Sequence, residues 1–305
     1  MTNRQIMNKK VLAVYFTQTG QLKQILDQFL APFIQAGLSV ELLKVEPEKE
    51  FVFPWTSKRF FDAMPESVTL QPAPLKPFVL KEERYDLIVF AYQPWFLSPS
   101  IPASSVLQHP DFKAIAKNTP VVTLIGARNM WLGSQEKVKR LLKEAGANLV
   151  GNIALVDNNG NLPSAVTILY WMFTGKKDRF LGIFPKPGVA DEDIMGVDKF
   201  GNTTVQCLSS ENWQSFPQKL AEEGAAEVKS NLMFIEGRAG KLFSIWANFI
   251  LKRKNREFWL KVFKYYLIIA LFIVAPIVLL VNMIFFKPFV GGSIRRKKKY
   301  YLGLN

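Results

Sequence analysis

The stretch 11–22, VLAVYFTQTGQL, decides the fold. Val11–Phe16 is a short, uninterrupted apolar run with β-branched and aromatic residues, which reads as a buried strand. TQTGQ (17–21) is a polar turn with a single glycine. After it, Leu22, Ile25, Leu26, Phe29, Leu30, Phe33 and Ile34 recur at helical spacing. Pro32 disturbs the last turn of that helix, and Gly37 fits its stop. Strand, tight polar loop and helix together open a βαβ unit.

The same alternation continues outward. Residues 38–45 (LSVELLKV) read as a second strand, 86–91 (DLIVFA) as a third, 120–126 (PVVTLIG) as a fourth and 148–156 (NLVGNIALV) as a fifth. Residues 134–145 predict a helix with Ser134 as N-cap and Gly146 as stop, and the turn Asp157–Gly160 closes the last strand. Strands alternating with helices imply an α/β fold of right-handed units on a parallel sheet. The connection 46–84 departs from this rhythm. It holds five prolines between 54 and 77 and the apolar residues Phe51, Phe53, Trp55, Phe60 and Phe61, with room for one short helix near 56–64. A long aromatic connection of this kind is either a cover over a site or core packing.

Charge is distributed unevenly. The 305 residues carry 39 Lys+Arg and 25 Asp+Glu, a net of +14, which on its face suggests nucleic acid. Residues 1–240 hold 26 basic and 24 acidic side chains (net +2), whereas residues 241–305 hold 13 basic side chains and one acid, Glu257 (net +12). Nucleic acid is therefore not the expected partner; anionic membrane lipid is. Residues 265–286, YYLIIALFIVAPIVLLVNMIFF, are 22 residues without a charge, long enough for a bilayer. Six basic residues flank each side, so charge does not choose an orientation. Pro276 near the middle leaves two readings, a kinked single span or a re-entrant hairpin that returns to the same face. Phe243, Trp246, Phe249 and Ile250 fit either an interfacial amphipathic helix or a core-facing stripe.

The expected organisation is a domain over 1–240 with an insertion at 46–84 and an extension after 157. A basic juxtamembrane segment at 241–264, the apolar helix at 265–286 and a basic tail at 287–305 follow. The start, MTNRQIMNKK, lacks the apolar core of a secretion signal, so the body is expected at the cytoplasmic face of the inner membrane. One Cys (Cys207) and one His (His109) exclude a disulfide framework and a His- or Cys-rich metal site. Cys207 reads as a buried residue and His109 as a surface turn residue.

In open α/β sheets ligands bind beyond the carboxyl ends of the strands. Three loops therefore carry the candidate site. Thr17, Gln18, Thr19, Gly20 and Gln21 sit at a helix N-terminus, where backbone N–H groups and the helix dipole favour a phosphate. Neither a dinucleotide fingerprint nor a Walker A motif is present, so one phosphate monoester is the better fit. Pro94, Trp95 and Phe96, in AYQPWFLSPSIP (91–102), offer a wall for a planar ring. Gly126, Ala127, Arg128, Asn129, Met130 and Trp131, in GARNMWLGS (126–134), add a cation, an amide and apolar surface. Arg128 and Asn129 are the catalytic candidates; pairing of Arg128 with a carboxylate such as Asp157 is the structural alternative.

YFTQTGQL (15–22) resembles the phosphate loop of flavodoxins, and the second and third loops resemble their flavin-flanking segments in order and spacing. The resemblance covers roughly residues 9–157. It implies a flavodoxin-like, doubly wound five-stranded sheet in the order 2-1-3-4-5. It also implies FMN as cofactor, with Thr17–Gln21 on the phosphate, Pro94–Phe96 flanking the ring and Gly126–Trp131 at its other edge. Leu22 stands where flavodoxins usually carry a phosphate-binding Thr.

Over nearly the whole chain, FPWTSKRFFDAMPESV, AYQPWFLSPSIP, LIGARNMWLGSQEKVKRLL and WMFTGKKDRF resemble bacterial dialkylresorcinol condensing enzymes. That resemblance implies a place in aromatic polyketide lipid synthesis and a lipid-like polyketide substrate. Condensation of the thiolase type needs a Cys nucleophile among His or Asn partners, which one Cys and one His do not provide. The expectation is therefore that a separate ketosynthase condenses, while this chain performs an FMN-dependent oxidoreductase or aromatase step. The alternatives are a flavin-dependent NAD(P)H or quinone oxidoreductase, with NAD(P)H as electron donor, and a membrane scaffold for the ketosynthase. LPSAVTILYWMF (162–173) would line an apolar substrate groove or form a plain buried helix.

Overall fold

The computed structural model of the chain describes residues 9–281 and 291–304. Five parallel strands, β1 (Lys10–Tyr15), β2 (Ser39–Lys44), β3 (Leu87–Tyr92), β4 (Pro120–Ala127) and β5 (Asn148–Val156), form one sheet. Their spatial order is β2-β1-β3-β4-β5, the doubly wound flavodoxin-like arrangement. Each strand lies within a residue or two of its expected range.

The pleat sorts the core into two layers, because successive side chains on a strand point to opposite faces. On one face Val11, Ala13, Leu87 and Val89 pack on α1 (Gln21–Gln35). On the other, Leu12, Val14, Ile88 and Phe90 meet three helices from the middle of the chain. Two of these flank the third strand's crossover, α4 (Ile101–Gln108) and α5 (Pro110–Ala116), and the third is α6 (Leu132–Glu144). Two helices precede them, α2 (Ser57–Asp62) and α3 (Met64–Thr69), so the 46–84 connection holds a helical pair where one short helix is expected. Pro32 stays inside α1 and the helix runs on to Gln35 before Gly37 turns at a φ of 75°. His109 caps α5 by accepting the Asp111 N–H, and Cys207 is buried.

Beyond β5 the chain adds α7 (Asn161–Thr174), α8 (Asp191–Met195), α9 (Asp198–Ser210) and α10 (Phe216–Glu222). α7 contributes to neither core layer, while Phe200, Cys207 and Leu208 of α9 and Phe216 and Leu220 of α10 join the α1 layer. α9 approaches α1 so closely that a Cβ on Gly201 would lie 2.2 Å from the Phe29 carbonyl oxygen. Backbone cannot yield as a flexible side chain can. Gly201→Ala is therefore expected to destabilise the protein by about 1–3 kcal/mol, read as a lower urea midpoint in detergent.

The C-terminal part begins with an antiparallel pair, α11 (Ser230–Leu251) and α12 (Arg256–Ile269). Phe243, Ala247 and Ile250 of α11 and Leu260 and Phe263 of α12 are buried with Phe61, Met64 and Val68 of the insertion. The aromatic stripe of α11 is thus core-facing, which displaces the interfacial reading. Arg256 fastens α12 to α3: its guanidinium donates to both Glu66 carboxylate oxygens at 2.5 and 2.7 Å. α12 continues through a π-helical turn, Ala270–Val274, into α13 (Ala275–Val281). The widened turn lies just before Pro276 and accommodates its missing N–H, so the helix does not break there. Arg256–Val278 is one helix long and apolar enough to cross a membrane by length and composition. Residues 282–286 of the expected 265–286 segment, and 287–290 of the tail, lie outside the described residues. α14 (Gly291–Tyr301) follows.

Candidate functional site

The carboxyl ends of β1, β3 and β4 lie side by side at one edge of the sheet, since all three strands run parallel. This brings the three loops together around a cavity of about 540 Å³. Gln18, Thr19 and Gln21 line it from the first loop, whose Thr17 and Gly20 lie outside the lining, Pro94, Trp95 and Phe96 from the second, and Gly126, Ala127, Arg128 and Met130 from the third. Asn161, Ala165, Ile168 and Met172 of α7 form another wall, so residues 162–173 do line the groove. The remaining wall is α11 together with the helix of α12 and α13.

The first loop presents the N-terminus of α1 to this cavity. Gly20, the N-cap residue, adopts a φ of 85°, open to glycine without steric penalty, and has no side chain to cap the helix. No acid occupies its first turn, leaving the positive dipole end uncompensated. The Gly20 and Gln21 N–H groups donate to the Thr17 and Thr19 hydroxyls at 3.1 and 3.4 Å. Gln21 is engaged elsewhere: its amide exchanges two hydrogen bonds with the Val189 backbone, at 3.0 and 3.1 Å. The segment after α7 is thereby fastened over the loop. Leu22, 2 % exposed, places an apolar chain in the wall.

The second loop is a two-residue hairpin. Pro94–Trp95 pairs antiparallel with Ser98–Pro99, and the turn residues Phe96 and Leu97 have φ of 48° and 59°. A turn of this type normally uses Asn or Gly, so two bulky residues there hold about 1–3 kcal/mol of strain each. The strain puts Phe96 at the cavity wall. Phe51, Trp55 and Phe16 surround the Trp95 ring at 5.0, 5.2 and 5.9 Å, and Phe60 lies 4.7 Å from Phe96. The aromatic insertion therefore does both things considered for it: Phe60 and Phe61 line the cavity, and the other rings buttress the hairpin.

The third loop divides. Arg128 faces the cavity, donating from Nη1 to the Asn161 carbonyl at 3.0 Å. Asp157 does not pair with it; that carboxylate accepts from the Ser164 hydroxyl and from Asn159. Among the described residues no carboxylate lies within 4 Å of the Arg128 guanidinium. Burial pushes its pKa down to about 10, with the Asp157 charge opposing, so it stays cationic at neutral pH. Asn129 and Trp131 do not line the cavity. Asn129 Nδ2 donates to Asn161 Oδ1 at 2.8 Å, and its own Oδ1 is buried without a partner among the described residues. Trp131 is 1 % exposed in the core, beneath Tyr301.

Several supporting residues carry no local sequence signal. The Glu236 carboxylate, on α11, accepts the Gly133 N–H at 2.7 Å and caps the N-terminus of α6. That helix starts at Leu132, and Ser134 is its third residue rather than its cap. Burial raises the Glu236 pKa to about 7, against the hydrogen bonds from Gly133 and Leu132. Lys137 of α6 donates to the Val68 carbonyl and the Ser98 hydroxyl at 2.7 and 2.6 Å, tying the hairpin and α3 to α6. Burial lowers its pKa to about 8.

No protein-family model matches the chain, and no curated protein matches it. Several solved structures resemble part of it, two of them flavoproteins. One is a flavoprotein from Lactobacillus acidophilus in complex with FMN, 17% identical, with a TM-score of 0.40, covering 48% of this chain and 93% of that one. The other is a presumed flavoprotein from Bacteroides eggerthii, 15% identical, with a TM-score of 0.38, covering 54% of this chain and 98% of that one.

Proposed function

We propose that this chain binds FMN in the three-loop cavity and performs a two-electron oxidation or reduction on a lipid-like substrate. The observation that carries this reading is the cavity itself, which joins a phosphate-suited helix N-terminus, aromatic walls and a half-buried cation to apolar helices. Its volume of about 540 Å³ is ordinary for a cofactor site.

The residues present fit FMN. The acid-free α1 N-terminus, with Thr17 and Thr19, would hold the phosphate; Leu22 removes one hydroxyl from that set. Trp95 and Phe96 would flank the ring. Arg128, lacking a carboxylate partner, matches an electron-rich ring edge that gains negative charge on reduction. Bound FMN would supply the two-electron chemistry, and the protein supplies binding, orientation and charge. The walls from α7 and the apolar helix exclude water and hold an alkyl chain.

The resemblance to dialkylresorcinol condensing enzymes narrows the substrate class. Loss of two electrons and two protons turns a cyclic diketone into a resorcinol, a step that could follow ring closure by a separate ketosynthase. A quinone reductase drawing on NAD(P)H would use the same cavity. The carboxylate-free cation and apolar cavity favour either enzyme over a ligand-free scaffold. The full-length protein, purified in detergent and supplied with FMN, is expected to retain stoichiometric flavin absorbance after desalting. Protein that stays colourless after FMN is added would sink this reading.

A further inference from the structure

The apolar helix has two faces with different surroundings. Leu267, Leu271, Ala275 and Val278, on one stripe, line the cavity. Tyr265, Ile273 and Ile277 do not line it and are 64, 57 and 57 % exposed, while Ile269 touches the cavity and is still 51 % exposed. A row of isoleucines left in water is unfavourable, and its periodicity is that of a single continuous helix face.

Both flanks of this helix are fixed to the same body. Upstream, Arg256 holds Glu66 and also donates to the Asp62 carbonyl at 2.6 Å. Downstream, the Tyr300 hydroxyl donates to the Glu136 carboxylate of α6 at 3.0 Å, with Lys139 Nζ 4.0 Å from the Tyr300 ring centre. Tyr301 packs edge-on to Trp131, and Leu302 joins the core beside it. A crossing helix would place about 30 Å of hydrocarbon between Tyr300 and Glu136. The exposed residues near the two flanks, Lys252–Lys254 and Arg295–Lys297, are basic, which complements anionic head groups.

We propose that the chain is monotopic. The α12–α13 helix lies in one leaflet of an anionic bilayer, its outer stripe on acyl chains and its inner stripe on the cavity, and both basic flanks stay on the same side. A helix satisfies its own backbone hydrogen bonds, so immersion of one face requires no partner segment. This inference concerns the membrane surface alone and holds whether or not flavin occupies the cavity.

The test uses the full-length chain, whose single native thiol, Cys207, is 2 % exposed and contributes little background. Lys254→Cys and Lys297→Cys, made separately at exposed positions, are expressed in bacterial inner membrane. Sealed vesicles of known orientation are then treated with a membrane-impermeant maleimide. Both variants are expected to react in the same vesicle orientation and neither in the other. Reaction of the two in opposite orientations, or recovery of the chain in the soluble fraction, would overturn the proposal. In a flotation assay, roughly threefold more protein should rise with phosphatidylglycerol–phosphatidylcholine vesicles than with phosphatidylcholine alone at low salt. Equal flotation would overturn the anionic-lipid assignment.

Discussion

Arg128→Met is expected to weaken FMN binding by about tenfold to a hundredfold while leaving the protein at least as stable as before. The two effects share one cause. Arg128 is half-buried at the cavity, with a carbonyl as its hydrogen-bond partner and no carboxylate within 4 Å among the described residues. Holding a desolvated charge in this way disfavours the empty protein, and a similar-sized apolar chain relieves it. A ligand that brings a negative or polarisable edge receives a charge-assisted hydrogen bond of about 1.5–3 kcal/mol, which the variant forfeits. Arg128→Lys keeps the charge and should bind between the two. Fluorescence titration with FMN and a thermal melt of the apoprotein measure both halves. Unchanged FMN affinity in the methionine variant would remove Arg128 from the site.

The second large effect concerns Glu236. Its folded-state pKa, raised to about 7 by burial, lies above the ordinary carboxylate value near 4.5. Between those values the native protein holds a proton that the unfolded chain has released. Stability therefore falls as pH rises through that window, by about 3 kcal/mol for a shift of this size. Glu236→Gln keeps an acceptor for the Gly133 N–H and removes the titration. Urea midpoints across pH 4.5–7 should slope downward for the wild type and flatten for the variant. Parallel slopes would show that other groups set the pH dependence. Because Glu236 joins α11 to α6, its ionisation also bears on how firmly the cavity's helical wall is seated.

The sheet and its binding edge were legible because they rest on short-range signals. The apolar runs at 11–16, 86–91, 120–126 and 148–156 are strands in the structure, and the loops after β1, β3 and β4 meet as the parallel topology requires. What was not legible depends on partners distant in sequence. Ser134 looked like a helix cap, but the cap is Glu236, a hundred residues away, and no local pattern encodes it. The α11 stripe had two equally good readings until α3 and α12 were seen to cover it. In the third loop, composition identified the right segment but not which side chains turn inward. Arg128 and Met130 reach the cavity, Asn129 is held aside by Asn161, and Trp131 is drawn into the core under Tyr301. The Tyr300–Glu136 contact likewise needs the fold, since the tail reads only as a basic run.

The helix that walls the cavity and is exposed along Ile273 and Ile277 on the side away from it has a kinetic corollary. A lipophilic substrate would reach this protein by lateral diffusion in two dimensions, and the quantity that governs saturation would be its mole fraction in the interface. In mixed micelles, adding inert detergent at constant total substrate should then slow turnover as surface dilution does, and adding buffer should not.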